Sequence, residues 1–202
     1  METIARHGIA HSFAPFKSLS QTVITSASTL SHSGFTISDS VTFVEPIITH
    51  APNEKVMAKQ WLHGYQYGPL WVPPLIGPGT LANLFLAYTA QSQMQRIAYI
   101  VAALSIFSIL PITFFYMEPG INGATKWKVQ MLLKDEGFGM KDTTVWYPSA
   151  HRQGGTLASR RWAERTGMKE LILFWRRVNN WRWGIAFLAA VASGWATFSE
   201  VA

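Results

Sequence analysis

An apolar stretch from Ile97 to Met117 limits what this chain can fold into more than any other feature. It contains no charged side chain and is bounded by Arg96 and Glu118. A helix of that length, at about 1.5 Å per residue, is long enough to cross about 30 Å of hydrocarbon. A soluble helix would carry its apolar residues along one stripe, whereas here large apolar side chains cover every face. We therefore expect a transmembrane span; the alternative is a buried central helix.

The composition also indicates a surface that is partly in contact with lipid. Charged residues make up 14% of the 202 residues, against about 25% in ordinary globular proteins, and there are 9 tryptophans. The absence of cysteine excludes disulfides, thiolate metal sites and cysteine nucleophiles. Loop orientation and anionic lipid headgroups explain the net charge of +6 better than a nucleic-acid partner does, so we expect none. The length fits one domain, residues 1–202.

Three further stretches with few or no charges predict three more spans. The first, about residues 18–45, is rich in serine and threonine, which suits close helix packing inside a bundle; the alternative is a flexible tail. We expect that helix to end before Pro46. The second, about residues 73–90, is expected to begin at Pro73, because proline is tolerated in the first turn. The last covers residues 183–199.

Most lysine and arginine residues lie in the segment between the third and fourth spans, residues 118–182. By the positive-inside rule this segment is expected to be a cytoplasmic loop, with both termini on the lumenal side. Residues 160–180 are expected to be helical and to lead into the last span along the interface. The expected fold is therefore all-α: an integral membrane four-helix bundle with a long basic cytoplasmic loop between the third and fourth spans.

Polar residues that suit chemistry or binding fall in three places. Trp175, Asn179 and Arg182 are separated by four and three residues, so a helix presents all three on one face. The alternative for this face is an interfacial anchor, because tryptophan and arginine are common at headgroup level.

Outside these three places, Tyr88 lies inside the second span, where a polar side chain contacts either substrate or a neighbouring helix.

The second place is the segment just before the second span, which contains Trp61, His63 and Tyr65. Histidine changes charge near neutral pH, so His63 is a candidate general base. The alternative is that His63 is an interfacial hydrogen-bonding residue among aromatic side chains.

The third place is the exit of the third span, with Thr113, Glu118 and Asn122. Glu118 is the best carboxylate candidate for a general base; the alternative is a helix-end charge solvated by headgroups. No histidine and carboxylate cluster has metal-ligand spacing, and there is no glycine-rich phosphate loop or dinucleotide fingerprint. We therefore expect that an enzyme built on these residues uses no metal and no cofactor.

Three short motifs stand in the order and spacing of a known family. They are Gln60-Trp61…Tyr65…Gly68 leading to Pro73-Pro74 and Ala87-Tyr88; Pro111-Ile112-Thr113 with Met117-Glu118-Pro119 and Asn122; and Trp175-Arg-Arg-Val178-Asn179-Asn-Trp-Arg182. From about Gly34 onward the chain resembles the fungal anthrone oxygenase family, which consists of small four-span membrane proteins. One departure is the exit motif, which reads Met-Glu-Pro-Gly-Ile-Asn where the family has Met-x-Pro-Thr-Asn.

The resemblance implies oxidation of a polyketide anthrone to its anthraquinone by O₂, without a cofactor, in secondary-metabolite biosynthesis. The implied partners are a hydrophobic aromatic polyketide substrate, O₂ and the lipid bilayer of an endomembrane such as the endoplasmic reticulum, with association to other pathway enzymes. Two alternatives are a non-catalytic membrane scaffold and a related pathway enzyme that acts on another aromatic or terpenoid intermediate.

The site hypothesis assigns each candidate a role in that reaction. His63 or Glu118 removes a proton from the substrate. The enolate that results is stabilised by hydrogen-bond donors, namely Arg182, Asn179 and Tyr65. Aromatic rings stack on the flat substrate, and further contacts complete the site; these residues are Trp61, Trp175, Tyr88, Thr113 and Asn122.

Overall fold

A computed structural model describes Gly34, residues 38–143 and residues 148–201. The described part of the chain is all-α, with 83% of its residues helical. The all-α part of the expected fold is therefore confirmed.

A short helical segment precedes the apolar helices. A π-helical stretch, Asp39–Val44, continues into α1 (Glu45–His50). The prediction that this helix ends before Pro46 is wrong, because Pro46 occupies the first turn of α1, where its missing N–H needs no partner. Most of the predicted first span, residues 18–33 and 35–37, lies outside the described residues.

The next two helices run almost without a break. Asn53 caps α2 (Glu54–Tyr65), with its Oδ1 accepting the Val56 N–H at 3.0 Å, and α3 (Tyr67–Thr89) follows after a single residue. The prediction that the second span begins at Pro73 is wrong, because α3 begins six residues earlier and has Pro73, Pro74 and Pro78 in its interior. Each proline removes one backbone hydrogen bond. We attribute the persistence of the helix to the packing of α3 on the next helix, α4.

The third helix extends well beyond the predicted span. α4 (Gln93–Pro111) continues through a π-helical stretch, Ile112–Asn122, into α5 (Gly123–Leu132). The helix bends at Gly120, whose backbone angles of φ −91° and ψ −108° are not helical. π-Helical turns are rare and are frequently found at functional sites.

Residues 118–182 are folded, so the prediction of a long loop is wrong as to their conformation. They contain α5, a 3₁₀ turn at Lys134–Glu136, α6 (Leu157–Arg165) and the start of α7 (Met168–Val201). Two short parallel strands, β1 (Lys141–Asp142) and β2 (Arg152–Gln153), close the segment between α5 and α6. The predicted helix over residues 160–180 is present but is interrupted at Thr166 and Gly167. Buried apolar side chains on α5 and α7 explain why the segment folds despite its charge.

Two exposed ion pairs hold the 3₁₀ turn against α2. Lys55 pairs with Asp135, and Lys59 Nζ lies 2.6 Å from Glu136 Oε2. The hydrogen bond from Lys55 holds the pKa of Asp135 below its usual value. Because these charges are exposed to solvent, they contribute little to stability.

Within the described part of the chain, two helical stretches are long and apolar enough to cross a membrane. They are Glu54–Thr89 and Gln93–Leu132. The most apolar 18-residue window of each has a mean hydropathy of 1.3 and 2.2, respectively, and 33% of each window is buried inside the protein. Large apolar side chains such as Leu81, Leu104 and Phe115 are 69%, 61% and 65% exposed. Apolar surface on this scale is typical of contact with lipid or a partner. α7 covers the predicted last span, residues 183–199, but does not meet the same criterion.

The core has two main parts that meet near residues 110–117. One lies between α3, α4 and α7 and contains small and branched side chains, including Val72, Ile76, Ile106, Ile109, Ala186 and Ala189. The other lies between α2, the π-helical stretch Ile112–Asn122, α5 and α7. It is richer in large side chains, including Trp61, Tyr65, Met117, Leu171 and Trp175. The candidate site lies at this junction.

Candidate functional site

One face of the bent helix carries three buried polar side chains, Glu118, Asn122 and Lys126. They are separated by four residues each, which places them on the same side of a helix. Their exposed fractions are only 1%, 2% and 0%. Charged groups are rarely buried to this extent unless they are paired, so their partners define the site.

The carboxylate of Glu118 has partners on both oxygens. Tyr65 Oη donates a hydrogen bond to Oε2 at 2.7 Å, and Asn122 Nδ2 donates to the same oxygen at 3.2 Å. Lys126 Nζ donates to Oε1 and forms a buried ion pair with it. One carboxylate oxygen thus faces a cation, and the other faces a phenol and an amide.

Trp175 completes this network from α7. Its indole N–H donates to Asn122 Oδ1 at 3.0 Å. An indole is only a donor and an ionised carboxylate only an acceptor, so this arrangement fixes which end of the Asn122 amide faces Glu118. Asn122 therefore links Trp175 to Glu118 across the site.

All three N–H groups of the Lys126 ammonium donate hydrogen bonds within the protein. Besides Glu118, it donates to the backbone carbonyls of Ser149 at 3.1 Å and Arg152 at 2.8 Å. An ammonium has three N–H donors, and these three acceptors account for all of them. Lys126 thereby connects Glu118 to the segment that precedes α6.

Aromatic rings hold the phenol of Tyr65 in place. The Trp61 ring stacks on the Tyr65 ring with a centroid distance of 4.9 Å and an angle of 19°. The Trp175 ring meets Trp61 edge-on at 6.1 Å. Such ring pairs stabilise one orientation of each ring, so Tyr65 Oη is directed at Glu118 by packing as well as by its hydrogen bond.

The segment between β2 and α6 covers the carboxylate with bare backbone. A Cβ on Gly154 would lie 3.6 Å from Glu118 Oε1. A Cβ on Gly123 would lie 2.3 Å from the Gly155 Cα, so the two backbones are in direct contact there. This contact depends on glycine at Gly123, and it keeps water away from Glu118 on that side.

We expect the Gly123→Ala variant to be destabilised by about 1–3 kcal/mol, because its methyl group would overlap backbone atoms of Gly155 and Glu118. The free energy of unfolding in detergent is the measurement. Gly184→Ala is the matched control, because nothing lies within 4 Å of its Cβ position. Within a helix, alanine is favoured over glycine by about 0.5–1 kcal/mol, so this control is expected to be stable. Equal stability of the two variants would contradict the close contact.

A largely apolar cleft adjoins this network. Its enclosed interior measures about 50 Å³, and with the open mouth the atom-free space is about 600 Å³. Polar groups enter it from Tyr65, Thr113, Asn122, Trp175 and Arg182. Most other lining residues are apolar and come from α3, α4 and their neighbours, including Phe43, Pro69, Val72, Pro73, Leu110, Phe114 and Met117. Glu118 and Lys126 are not among the lining residues, so they lie behind the wall that Tyr65 and Asn122 form.

Arg182 enters the cleft from α7. It is only 7% exposed, and its Nη1 donates to Asn179 Oδ1 at 3.1 Å, one turn earlier in the helix. Asn179 is fully buried and does not line the cleft. Asn179 therefore orients the guanidinium, and Arg182 presents a positive charge to whatever occupies the cleft.

The structure brings most of the sequence-predicted site residues together. Those in the cleft wall or directly behind it are Trp61, Tyr65, Thr113, Glu118, Asn122, Trp175, Asn179 and Arg182. His63 is exposed and lies outside the cleft, with Gln66 Nε2 3.0 Å from its Nδ1 and the Tyr67 ring edge-on at 5.6 Å. Tyr88 is 84% exposed near the end of α3 and is also outside the cleft.

Sequence reasoning missed Lys126 as a site residue. It was grouped with the other cations of residues 118–182, most of which are on the surface. The signal that distinguishes it is its position four residues after Asn122 and eight after Glu118, on one helix face.

Comparison with known proteins identifies the family of this chain. The family model described as anthrone oxygenase matches residues 61–192, a range that contains every site residue from Trp61 to Arg182. No curated protein and no solved structure matches the chain. The matched range covers well over half of the sequence, so the chain belongs to the anthrone oxygenase family.

Proposed function

We propose that this protein oxidises a flat polyketide anthrone to the corresponding anthraquinone with O₂, in the biosynthesis of a secondary metabolite. The family membership supports an oxygenase. The observation that supports this reaction most strongly is the Tyr65–Glu118 hydrogen bond of 2.7 Å at the wall of an apolar cleft. It offers a proton acceptor to a hydrophobic substrate without exposing a charge to it.

The first step is removal of a proton from the central methylene of the anthrone. That proton is acidic because the carbanion is delocalised as an aromatic enolate. Tyr65 is one of the residues that line the cleft, and its Oη already donates its hydrogen to Glu118. In the proposed step, Tyr65 Oη accepts the substrate proton while its own hydrogen moves to Glu118 Oε2. Arg182 then stabilises the negative charge of the enolate from the cleft wall.

The second step joins the enolate to O₂. The electron-rich carbon gives one electron to O₂, and the radical pair forms a carbon–oxygen bond. The resulting peroxide takes a proton and becomes a hydroperoxide. Loss of the remaining methylene hydrogen as a proton, with cleavage of the O–O bond, releases water and leaves the new carbonyl. The sum is one anthrone plus one O₂ to one anthraquinone plus one water, with all electrons supplied by the substrate.

The lining of the cleft suits a planar aromatic substrate, which is proposed to lie largely in the open mouth because the enclosed interior measures only about 50 Å³. The Trp175 ring and the rings of Phe43 and Phe114 supply apolar contact surface. Thr113 Oγ1, whose hydrogen is donated to the Ile109 carbonyl, is available to accept a hydrogen bond from a phenolic hydroxyl. Trp61 does not line the cleft, so its proposed role is to hold Tyr65 in place rather than to stack on the substrate.

The substrate is proposed to reach the cleft through the membrane. Several lining residues, including Pro69, Pro73 and Leu110, belong to the two stretches that are apolar enough to span a bilayer. A hydrophobic anthrone partitions into lipid, so a cleft between such helices receives it there. We propose that these two stretches, α7 and the N-terminal segment span an endomembrane such as the endoplasmic reticulum, in association with other enzymes of the pathway.

Oxidation under ¹⁸O₂ tests the proposed function itself. We expect the purified protein to consume one O₂ per anthrone and to place one ¹⁸O atom in the new carbonyl, while the other leaves as water. The measurement is O₂ uptake together with the mass of the anthraquinone, corrected for spontaneous oxidation in protein-free detergent. A folded protein that does not accelerate anthrone oxidation above that blank would contradict the proposal.

The His63→Ala variant is expected to oxidise anthrone at the parental rate. His63 is exposed and outside the cleft, so the proposed proton transfer does not involve it. Initial rates of O₂ uptake with saturating anthrone are the measurement. A loss of tenfold or more in folded His63→Ala protein would mean that the proton acceptor is His63 rather than Glu118.

A further inference from the structure

Lys126 has the surroundings of a residue that acts on the site from behind. Its side chain is fully buried, yet it neither lines the cleft nor retains an N–H for a ligand there. Burying an ammonium ion is strongly unfavourable unless its partners compensate. A neutral side chain would suffice to fill this volume, so the charge itself requires an explanation.

The charge acts on the carboxylate that accepts the hydrogen bond of Tyr65. Lys126 binds Oε1 of Glu118, which leaves Oε2 for Tyr65 and Asn122. The other charged or titratable groups around the carboxylate are the phenol of Tyr65 from α2 and the guanidinium of Arg182 from α7 on the cleft side. Lys126 is thus the cation in direct contact with Glu118.

We propose that Lys126 is a positioning residue of the oxidation: its ammonium keeps Glu118 an anion and directs Oε2 at Tyr65, so that Glu118 can take the proton that Tyr65 gives up. This inference rests on the proposed function. It assigns Lys126 no contact with substrate. It also explains why the backbone carbonyls of Ser149 and Arg152 converge on a buried ammonium, since they hold the cation opposite Oε1.

Lys126→Gln separates the charge from the structural contacts. Glutamine has two N–H donors, one for Glu118 and one for a backbone carbonyl, but carries no positive charge. We expect kcat to fall by about 10²-fold with KM nearly unchanged, because the substrate site is intact while the proton acceptor is neutralised. Lys128→Met, on the same helix and only partly buried, is the control and is expected to keep the parental kcat.

Infrared difference spectroscopy supplies a readout that does not depend on activity. A buried carboxylate that loses its cation binds a proton instead, so Lys126→Gln is expected to show a protonated-carboxyl C=O band that the parental protein lacks. That band should be absent from the Glu118→Gln/Lys126→Gln double variant. A purely structural role for Lys126 would change neither this band nor the ratio of kcat to KM.

Each outcome decides the matter. A folded Lys126→Gln protein with the parental kcat and no new band overturns the inference, whereas the proposed function stands. A parental protein without anthrone oxidation overturns the proposed function, and the infrared band still tests whether Lys126 keeps Glu118 ionised. If Lys126→Gln fails to fold, a folded Glu118→Gln/Lys126→Gln double variant supports the charge pairing, and an unfolded one overturns it.

Discussion

The Tyr65→Phe variant is expected to lose about 10²–10⁴-fold in kcat for anthrone oxidation, the range that a positioned proton-transfer group contributes. Tyr65 lines the cleft, and its hydroxyl donates a hydrogen bond to Glu118 Oε2. Phenylalanine keeps the ring and therefore its stacking on Trp61, but it removes the oxygen through which the proton passes. Steady-state O₂ uptake over a range of anthrone concentrations is the measurement.

The control for this variant is Tyr116→Phe. Tyr116 lies on the same bent helix as Glu118 but is 60% exposed and outside the cleft. It is expected to retain the parental kcat and KM. A folded Tyr65→Phe protein with the parental kcat would show that the proton does not pass through Tyr65.

The Lys126→Met variant is expected to lower the free energy of unfolding by about 3–5 kcal/mol, because Glu118 loses the cation that stabilises its ionised form in the folded protein. Both side chains are almost completely inaccessible, so solvent screens the pair very little. The double variant Glu118→Gln/Lys126→Met removes both charges and is expected to be considerably more stable than Lys126→Met alone. Unfolding in detergent, followed by the tryptophan signal, measures both.

Lys128→Met provides the baseline for that comparison. It makes the same substitution two residues along α5, at a partly buried position, and is expected to change stability by no more than about 0.5 kcal/mol. If the two single variants were equally stable, or if the double variant were the least stable of the three, the buried pair would not have the energetics that its geometry indicates.

The apolar helices were predictable because their signal is local. The uncharged run from Ile97 to Met117 specifies a helix whatever surrounds it, and α4 covers most of it. Helix ends were less predictable. Proline is usually found in a first turn, but Pro73 lies inside α3, because the packing of this helix on α4 compensates for the missing hydrogen bonds.

The site was predictable as a set of residue types but not as an arrangement. Tyr65, Glu118 and Trp175 are more than 50 residues apart in pairs, and only the packing of three helices brings them together. The choice between His63 and Tyr65 could not be made from sequence. His63 and Tyr65 are two positions apart on a helix, so their side chains point about 200° away from each other and only one of them can face the cleft. Which of the two does so depends on tertiary packing.

Lys126 was not identified from sequence because one rule explained all the cations around it. The positive-inside rule accounts for the cations of residues 118–182 as a group, so none of them stood out. Its spacing from Glu118 and Asn122 was visible, but the burial that gives it significance was not. The ammonium is enclosed by Glu118 and by the backbone carbonyls of Ser149 and Arg152, which are distant in sequence from Lys126.

Proton transfer from anthrone to Glu118 is tested most directly by mixing the protein with anthrone in the absence of O₂ and recording the absorbance of the aromatic enolate. We expect the parental protein to form the enolate rapidly. Glu118→Gln and Tyr65→Phe are expected not to form it, although both still bind anthrone. Enolate formation at the parental rate in folded Glu118→Gln protein would contradict the central claim that the buried carboxylate behind Tyr65 receives the proton.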